Sequence, residues 1–182
     1  HGPQAWRDGF RGTAMHNTLC IDGQDQAISG GRFMWVRKYR STVIERSTNR
    51  VLDKLVAEHD GYRRLPGKPI HRRSWELDKL GDALVVRDEI SGNRAQPVSL
   101  NWHFSEECSV TCTPDGLLVA NGPVNLEIVL PPNGEVSLLR GSDSPLAGWV
   151  SRGYDRIVPS TTVTWRGRIE PGEELETRIR RV

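Results

Sequence analysis

The stretch Val98-Ser99-Leu100-Asn101-Trp102-His103-Phe104 decides the fold class. Val98, Leu100, Trp102 and Phe104 fall on one side of an extended chain and Ser99, Asn101 and His103 on the other, because successive strand side chains point to opposite faces. The same beat continues downstream. Ser109 to Thr113 runs into Pro114-Asp115-Gly116, Leu117-Leu118-Val119 follows, and Val124, Leu126, Ile128 and Leu130 alternate before Pro131-Pro132-Asn133-Gly134. Val136 to Leu139, Val163 with Trp165, and Leu175, Thr177 and Ile179 supply the last strands. Upstream, Phe33 to Val36, Ser41 to Ile44, Ile70 to Trp75 and Leu84 to Asp88 read the same way. Val51 to His59 matches neither period cleanly; its β-rich flanks and the Asp60-Gly61 turn favour a strand. Strands at a spacing of about ten residues, with turn signals between them, predict an all-β antiparallel sandwich. The expectation is two packed sheets of roughly 12–14 strands with little or no helix.

Length and composition bound the rest. A chain of 182 residues suits a single domain spanning 1–182. Its 36% hydrophobic and 26% charged residues are those of a globular protein. The net charge of +2, with both signs interspersed, argues against a dedicated nucleic-acid binder, which concentrates basic residues on one face. No apolar run approaches the ~20 residues of a membrane span. Three cysteines, an odd number, do not describe a disulfide framework. Cys108 and Cys112 lack the further ligands of a zinc ribbon and read as ordinary strand residues. No signal peptide opens the chain, and His1-Gly2-Pro3 reads as the middle of a longer sequence.

Several residues could carry chemistry. Ala14 to Ile21 reads as a strand ending in the Asp22-Gly23 turn, so the adjacent His16 and Asn17 point to opposite sides. One can then serve a site while the other ties down the backbone. His1 to Thr13 reads as irregular, with Gly2-Pro3 and Asp8-Gly9 as breakers. There Arg7 and Arg11 flank Trp6 and Phe10, either as an anion-facing loop or as a loop pinned by its aromatics. His71, Arg73 and Trp75 share a strand face. Arg72, Arg73 and Arg87 lie in adjacent strands with Asp88 and Glu89. An arginine there either holds a sugar carboxylate bidentately or makes cross-strand ion pairs. Trp102 and Trp149 either stack on sugar rings or pack in the core.

Arg7, Phe10-Arg11-Gly12-Thr13, His16-Asn17-Thr18 and Asp22-Gly23-Gln24-Asp25-Gln26 together resemble the hallmark run of the heparinase II/III-like family. The likeness continues through His59-Asp60-Gly61-Tyr62, His71-Arg72-Arg73 and Val85-Val86-Arg87-Asp88. It ends with Gly148-Trp149-Val150-Ser151, Tyr154 and Pro159-Ser160. These are bacterial polysaccharide lyases and relatives, with an (α/α) toroid followed by a β-sheet domain. The resemblance implies that this chain is the C-terminal β domain alone, with the toroid as its partner and an acidic polysaccharide as substrate. A periplasmic or secreted setting is favoured, with a cytoplasmic one open.

Family lyases cleave uronate-containing chains by β-elimination, which needs a neutralised C6 carboxylate, a base for the C5 proton and an acid for the leaving oxygen. The resemblance points to His16 and Asn17 as catalytic residues and puts the family's catalytic tyrosine in the toroid. Tyr62 is then either a proton donor from the β domain or a tyrosine packed in the sheet, and Arg7, Arg11, Arg72 and Arg73 are the candidate substrate contacts. It also implies a divalent metal such as zinc on His16 and His71, although the aspartate expected near Phe33 is not visible. Some family members carry a catalytic histidine two positions before the His-Asn pair. This chain has Ala14 there, which brings in two rival readings, a non-catalytic carbohydrate-binding or exopolysaccharide-assembly module and a purely structural domain.

Overall fold

The computed structural model describes residues 4–31, 34–153 and 155–182. The chain opens with helix α1 (Gln4–Arg11) and a 3-10 turn (Thr13–Met15). Strands follow in order: β1 (Leu19–Ile21), β2 (Ile28–Ser29), β3 (Trp35–Arg37), β4 (Ser41–Thr48), β5 (Leu52–His59) and β6 (Ile70–Asp78). Next come β7 (Ala83–Ser91), β8 (Gln96–His103), β9 (Ser109–Thr113), β10 (Gly116–Asn121), β11 (Val124–Val129) and β12 (Glu135–Arg140). The last six are β13 (Ser142–Asp143), β14 (Leu146–Ala147), β15 (Trp149–Gly153), β16 (Arg156–Pro159), β17 (Thr161–Ile169) and β18 (Glu174–Arg181).

Two antiparallel sheets make the sandwich. One has eight strands in the order β4-β5-β6-β7-β18-β11-β10-β9, and the other has four, β1-β8-β17-β12. β2-β3, β13-β14 and β15-β16 are short ribbons at the margin. The alternation that predicts the strands also fills the core. Val98, Leu100 and Trp102 of β8 meet Val163, Trp165 and Ile169 of β17, and Val86, Ile90, Leu117, Val119 and Ile128 close on them from the larger sheet. Each such side chain, fully buried, contributes about 1.5–3 kcal/mol of transfer free energy. Trp165 is the largest of them. Its indole N–H donates to Pro131 O at 2.8 Å, and Gly134 lies so close to the ring that a Cβ there would sit 2.1 Å from it. Trp102 also belongs to the core.

Two local expectations are corrected. The segment before Thr13 is helical from Gln4 on, not irregular; the Gly2-Pro3 breaker lies outside the described residues. One turn of helix puts Trp6 and Phe10 on one side, ring centroids 6.1 Å apart, with Trp6 edge-on to Trp149 at 5.2 Å. Gly9 is a close approach, not a turn: a Cβ there would fall 2.3 Å from Leu146 Cδ2. The second correction concerns the strand expected over Ala14 to Ile21, of which only Leu19–Ile21 pairs, with Leu100 to Val98 of β8. Thr13 explains this. Its N–H donates to Asp25 Oδ1 at 2.6 Å and its hydroxyl accepts from Gln26 N at 2.8 Å, which curls the chain into the 3-10 turn. The Thr13 and Asp25-Gln26 blocks of the sequence are therefore one piece of structure.

Candidate functional site

The segment between the 3-10 turn and β1 carries His16 and Asn17, both exposed. It is held from two sides. Arg73 Nη1 donates to Asn17 O at 2.6 Å, and the Asn17 side-chain oxygen accepts from His103 N at 2.7 Å. Gly148 N–H donates to Thr162 Oγ1 at 2.9 Å, so the Thr162 hydroxyl proton is free to donate to His103 Nδ1 at 2.8 Å. His103 Nε2–H then donates to Ala14 O at 3.0 Å. That order assigns His103 as the neutral Nε2–H tautomer. Burial, opposed by the bond to Ala14, holds its pKa below the ordinary imidazole value, consistent with the same state.

His16 is left on the wall of a pocket of about 580 Å³, shared with Arg11, Thr13, Thr18, Gln26, Trp35, Lys38 and Tyr39. Arg11 lies over the Trp35 ring, its Cζ 4.5 Å from the centroid, and donates to Gly31 O at 2.5 Å. Two cations, two aromatic faces and an imidazole thus converge on one concave surface. Such a surface can hold the C–H face of a sugar ring and a carboxylate together.

Behind this wall runs a buried polar chain set by strand register. His59 of β5 lies opposite His71 of β6, and Arg73 of β6 lies opposite Asp88 of β7. His71 and Arg73, two residues apart, share a face and so both reach Asp88. Arg73 grips the carboxylate with Nε at 2.7 Å and Nη2 at 2.9 Å. The donors then follow without choice. Gly61 N–H donates to His59 Nδ1 at 3.2 Å, leaving His59 Nε2–H to donate to His71 Nδ1 at 3.0 Å and His71 Nε2–H to Asp88 Oδ1 at 2.6 Å. Both imidazoles are neutral in this arrangement. Burial, and then the neighbouring His71, push the His59 pKa down to about 4. For Asp88, complete burial alone would raise the pKa, but Arg73 and His71 outweigh it and hold the carboxyl below its ordinary value.

Several expected site residues stand elsewhere. Tyr62 is fully buried, its hydroxyl donates to Leu19 O at 2.9 Å, and burial drives its pKa well above the ordinary phenol value. It is a strut between layers, and the expectation of a proton donor there is corrected. Arg73, 7% exposed and committed to Asp88, has no fork left for a sugar carboxylate, which corrects that expectation too. Arg72 is exposed but pairs across the strands with Glu58 at 2.9 Å. Arg7 lines a separate pocket with Trp6, Phe10, Ser151, Asp155, Arg156 and Ile157. Trp149 donates to Ser142 O at 2.9 Å and packs against Trp6. Tyr154 lies outside the described residues. Asn17 and Arg11 remain at the site, Asn17 as a backbone tie.

The described residues do not fit the metal expected on His16 and His71. His71 is 3% exposed with both ring nitrogens engaged, His16 is exposed on the pocket wall, and among the described residues no group of three His, Cys, Asp or Glu side chains is arranged to hold a metal ion. The stretch Gly30-Gly31-Arg32-Phe33-Met34 holds no aspartate to complete such a site. Lys38 and Tyr39 are marked in the sequence only by the dense run Arg37-Lys38-Tyr39-Arg40, and Trp35 only as part of the Phe33 to Val36 strand.

The sandwich is the fold of the β domain of heparin lyases. The whole chain superposes on heparan sulfate lyase HepC from Pedobacter heparinus with TM-score 0.74 at 19% identity, covering 26% of that chain. It superposes on a heparinase III with TM-score 0.74 at 19% identity over 26% of that chain, and on a second heparinase III gene product with TM-score 0.67 at 18% over 26%. The chain therefore spans about a quarter of the length of these proteins. Residues 1–180 match the family described as Heparinase II/III-like, C-terminal, and the chain belongs to that family. No curated protein is similar to it at a significant level. No helix among the described residues is long and apolar enough to cross a membrane.

Proposed function

We propose that this chain is the β-sandwich domain of a polysaccharide lyase acting on uronate-containing acidic polysaccharides, with its Arg11–Trp35–His16 pocket forming one wall of the cleft. The observation that carries the reading is His16, exposed on a pocket lined by Arg11, Lys38, Trp35 and Tyr39 while its backbone neighbours are clamped by Arg73 and His103. β-Elimination removes the C5 proton, forms the C4–C5 double bond and breaks the C4–O bond, the leaving oxygen taking up a proton. Arg11 and Lys38 supply positive charge for the C6 carboxylate, which acidifies C5–H, and His16 is placed to move a proton. The groups that complete the chemistry belong to the rest of the cleft, the toroid in this reading, so the chain alone turns over little or no substrate.

The test follows the ultraviolet absorbance of the unsaturated uronate product when the full-length protein meets a panel of acidic polysaccharides. His16→Ala should lower kcat/KM by 10²-fold or more, the scale of a lost general acid or base. Turnover unchanged in His16→Ala overturns the role given to His16, and silence of the wild type across the panel overturns the lyase reading. One observation favours a second reading, a carbohydrate-binding or exopolysaccharide-assembly module. Exposed Ala14 stands where some relatives carry a catalytic histidine, and here only its backbone carbonyl is used. Binding of the same polysaccharides without turnover would decide for that module.

A further inference from the structure

Beside the His16 pocket lies a second one, of about 390 Å³, lined by Arg37, Lys38, Asp60, Gly61, Arg63, Arg64 and Lys68. Lys38 lines both. Five cations face one carboxylate here, and the single carboxylate is occupied: Asp60 Oδ1 accepts from Arg40 N at 2.8 Å. On the eight-stranded sheet, Arg72 pairs with Glu58, Arg87 with Glu76 and Glu176, Lys54 with Glu45, and Arg180 with Glu127. Arg37, Lys38, Arg63 and Lys68 are all exposed and have no such partner among the described residues. Like charges gathered in a concave site raise its potential and concentrate anions there.

The backbone of the pocket is also built, its two loops tied to each other. Arg40 N donates to Asp60 Oδ1 and Asp60 N donates back to Arg40 O at 3.2 Å, which locks the Arg37-Lys38 loop to the Arg63-Arg64 loop. Arg64 bonds to Gly61 O and to Asp25 O, tying the second loop to the block that also positions Thr13. Gly61 is required where it is, since a Cβ there would come 2.8 Å from Gln26 O. The backbone segments that carry the cations are thus fixed relative to each other and to the Thr13 block before any ligand arrives, which lowers the ordering cost of binding.

We infer that Arg37, Lys38, Arg63 and Lys68 form an oxyanion subsite for an ionised substituent on a sugar next to the one over Trp35 and Tyr39. The occupant is a sulfate ester or a uronate carboxylate, both of which offer oxygens to cationic donors. The inference rests on the reading of the His16 pocket as a sugar site and deepens it: the domain grips an acidic chain at two successive units.

The test measures binding of this chain, by calorimetry, to uronate mono- and tetrasaccharides in sulfated and unsulfated forms. Arg37→Ala/Arg63→Ala is compared with Trp35→Ala, and thermal melts confirm that the variants fold. The double variant should weaken the tetrasaccharide about tenfold, about threefold per exposed cation, and leave the monosaccharide, too short to reach both pockets, unchanged. The added affinity should shrink in high salt. A loss confined to the sulfated tetrasaccharide identifies sulfate, and equal losses in both identify the carboxylate; either supports the subsite. Equal loss for mono- and tetrasaccharide, or none for either, overturns it. If Trp35→Ala abolishes binding while the double variant leaves it unchanged, the subsite alone falls. If the wild type binds none of the probes, the sugar-site reading falls with it.

Discussion

Replacing Asp88 by alanine tests the arrangement behind the pocket most directly. Asp88 is fully buried and accepts three hydrogen bonds, two from Arg73 and one from His71. Removing it strands a guanidinium that is itself 7% exposed, with Trp75 and Trp102 each 6.0 Å from its Cζ, and leaves the His71 Nε2–H without an acceptor. Breaking a buried pair from one side costs about 3–5 kcal/mol, because the remaining charge keeps its desolvation penalty. In a domain of this size that corresponds to a fall in Tm of roughly 6–20 °C. The double variant Arg73→Met/Asp88→Leu removes both charges and should recover at least about 2 kcal/mol of the loss, as apolar replacements of buried ion pairs commonly do. It should not recover all of it, since Asn17 O loses its Arg73 donor and His71 stays unsatisfied, at about 1–3 kcal/mol for such a group. Urea unfolding followed by tryptophan fluorescence would measure both. An Asp88→Ala cost below about 1 kcal/mol, or a double variant less stable than the single one, would refute the account of Asp88 as the anchor of the chain.

Two further outcomes are expected. The His59 pKa is depressed to about 4 by burial and then by His71, against about 6.5 in the unfolded chain. The unfolded state therefore binds the extra proton first, so stability should be flat above about pH 6.5 and fall by roughly 3 kcal/mol as pH drops towards 4. Asp88, also depressed, adds its loss only at lower pH, below about 3.9. Urea midpoints from pH 4 to 7 should show this slope, and His59→Gln should flatten it; an unchanged slope would remove His59 as its source. Tyr62→Phe deletes the bond to Leu19 O and should cost about 1–2 kcal/mol while leaving turnover by the full-length protein intact. A large loss of kcat without loss of stability would return Tyr62 to the catalytic residues.

The fold is legible in the sequence where its cause is local. Alternation at Val98, Leu100 and Trp102 names the inward face of β8, and the Pro131 to Gly134 turn is announced by residue type before Trp165 is seen to fill it. Helix α1 is missed because Gly9, a breaker in isolation, is required by the approach of Leu146, about 140 residues away in sequence. The truncated β1 has the same origin: only the bonds from Asp25 and Gln26 show why Thr13 curls. At the site, residue types are visible but partnerships are not. His71 and Arg73 share a face by simple counting, yet their commitment to Asp88 follows from the register of β6 against β7. Arg72 and Arg73, adjacent and chemically alike, end in opposite situations, one on solvent against Glu58 and one locked in the interior. No local pattern separates them until the register is known.

The position of His16 now has a cause that reaches through the whole sandwich. A side chain exposed on a short irregular segment would ordinarily lose much of its transition-state contribution to motion, because catalytic geometry tolerates little displacement. Here the eight-stranded sheet supplies one restraint, Asp88 orienting Arg73 onto Asn17 O, and the four-stranded sheet supplies two, His103 N on the Asn17 side chain and His103 Nε2 on Ala14 O. The restraints land on the residue two before His16 and the residue one after it, and none uses the His16 ring. A buried ion pair that is weak evidence for stability is therefore well used as a positioning device. Its guanidinium is oriented by two bonds to one carboxylate, and the third nitrogen carries that orientation across the layer to the backbone beside the pocket.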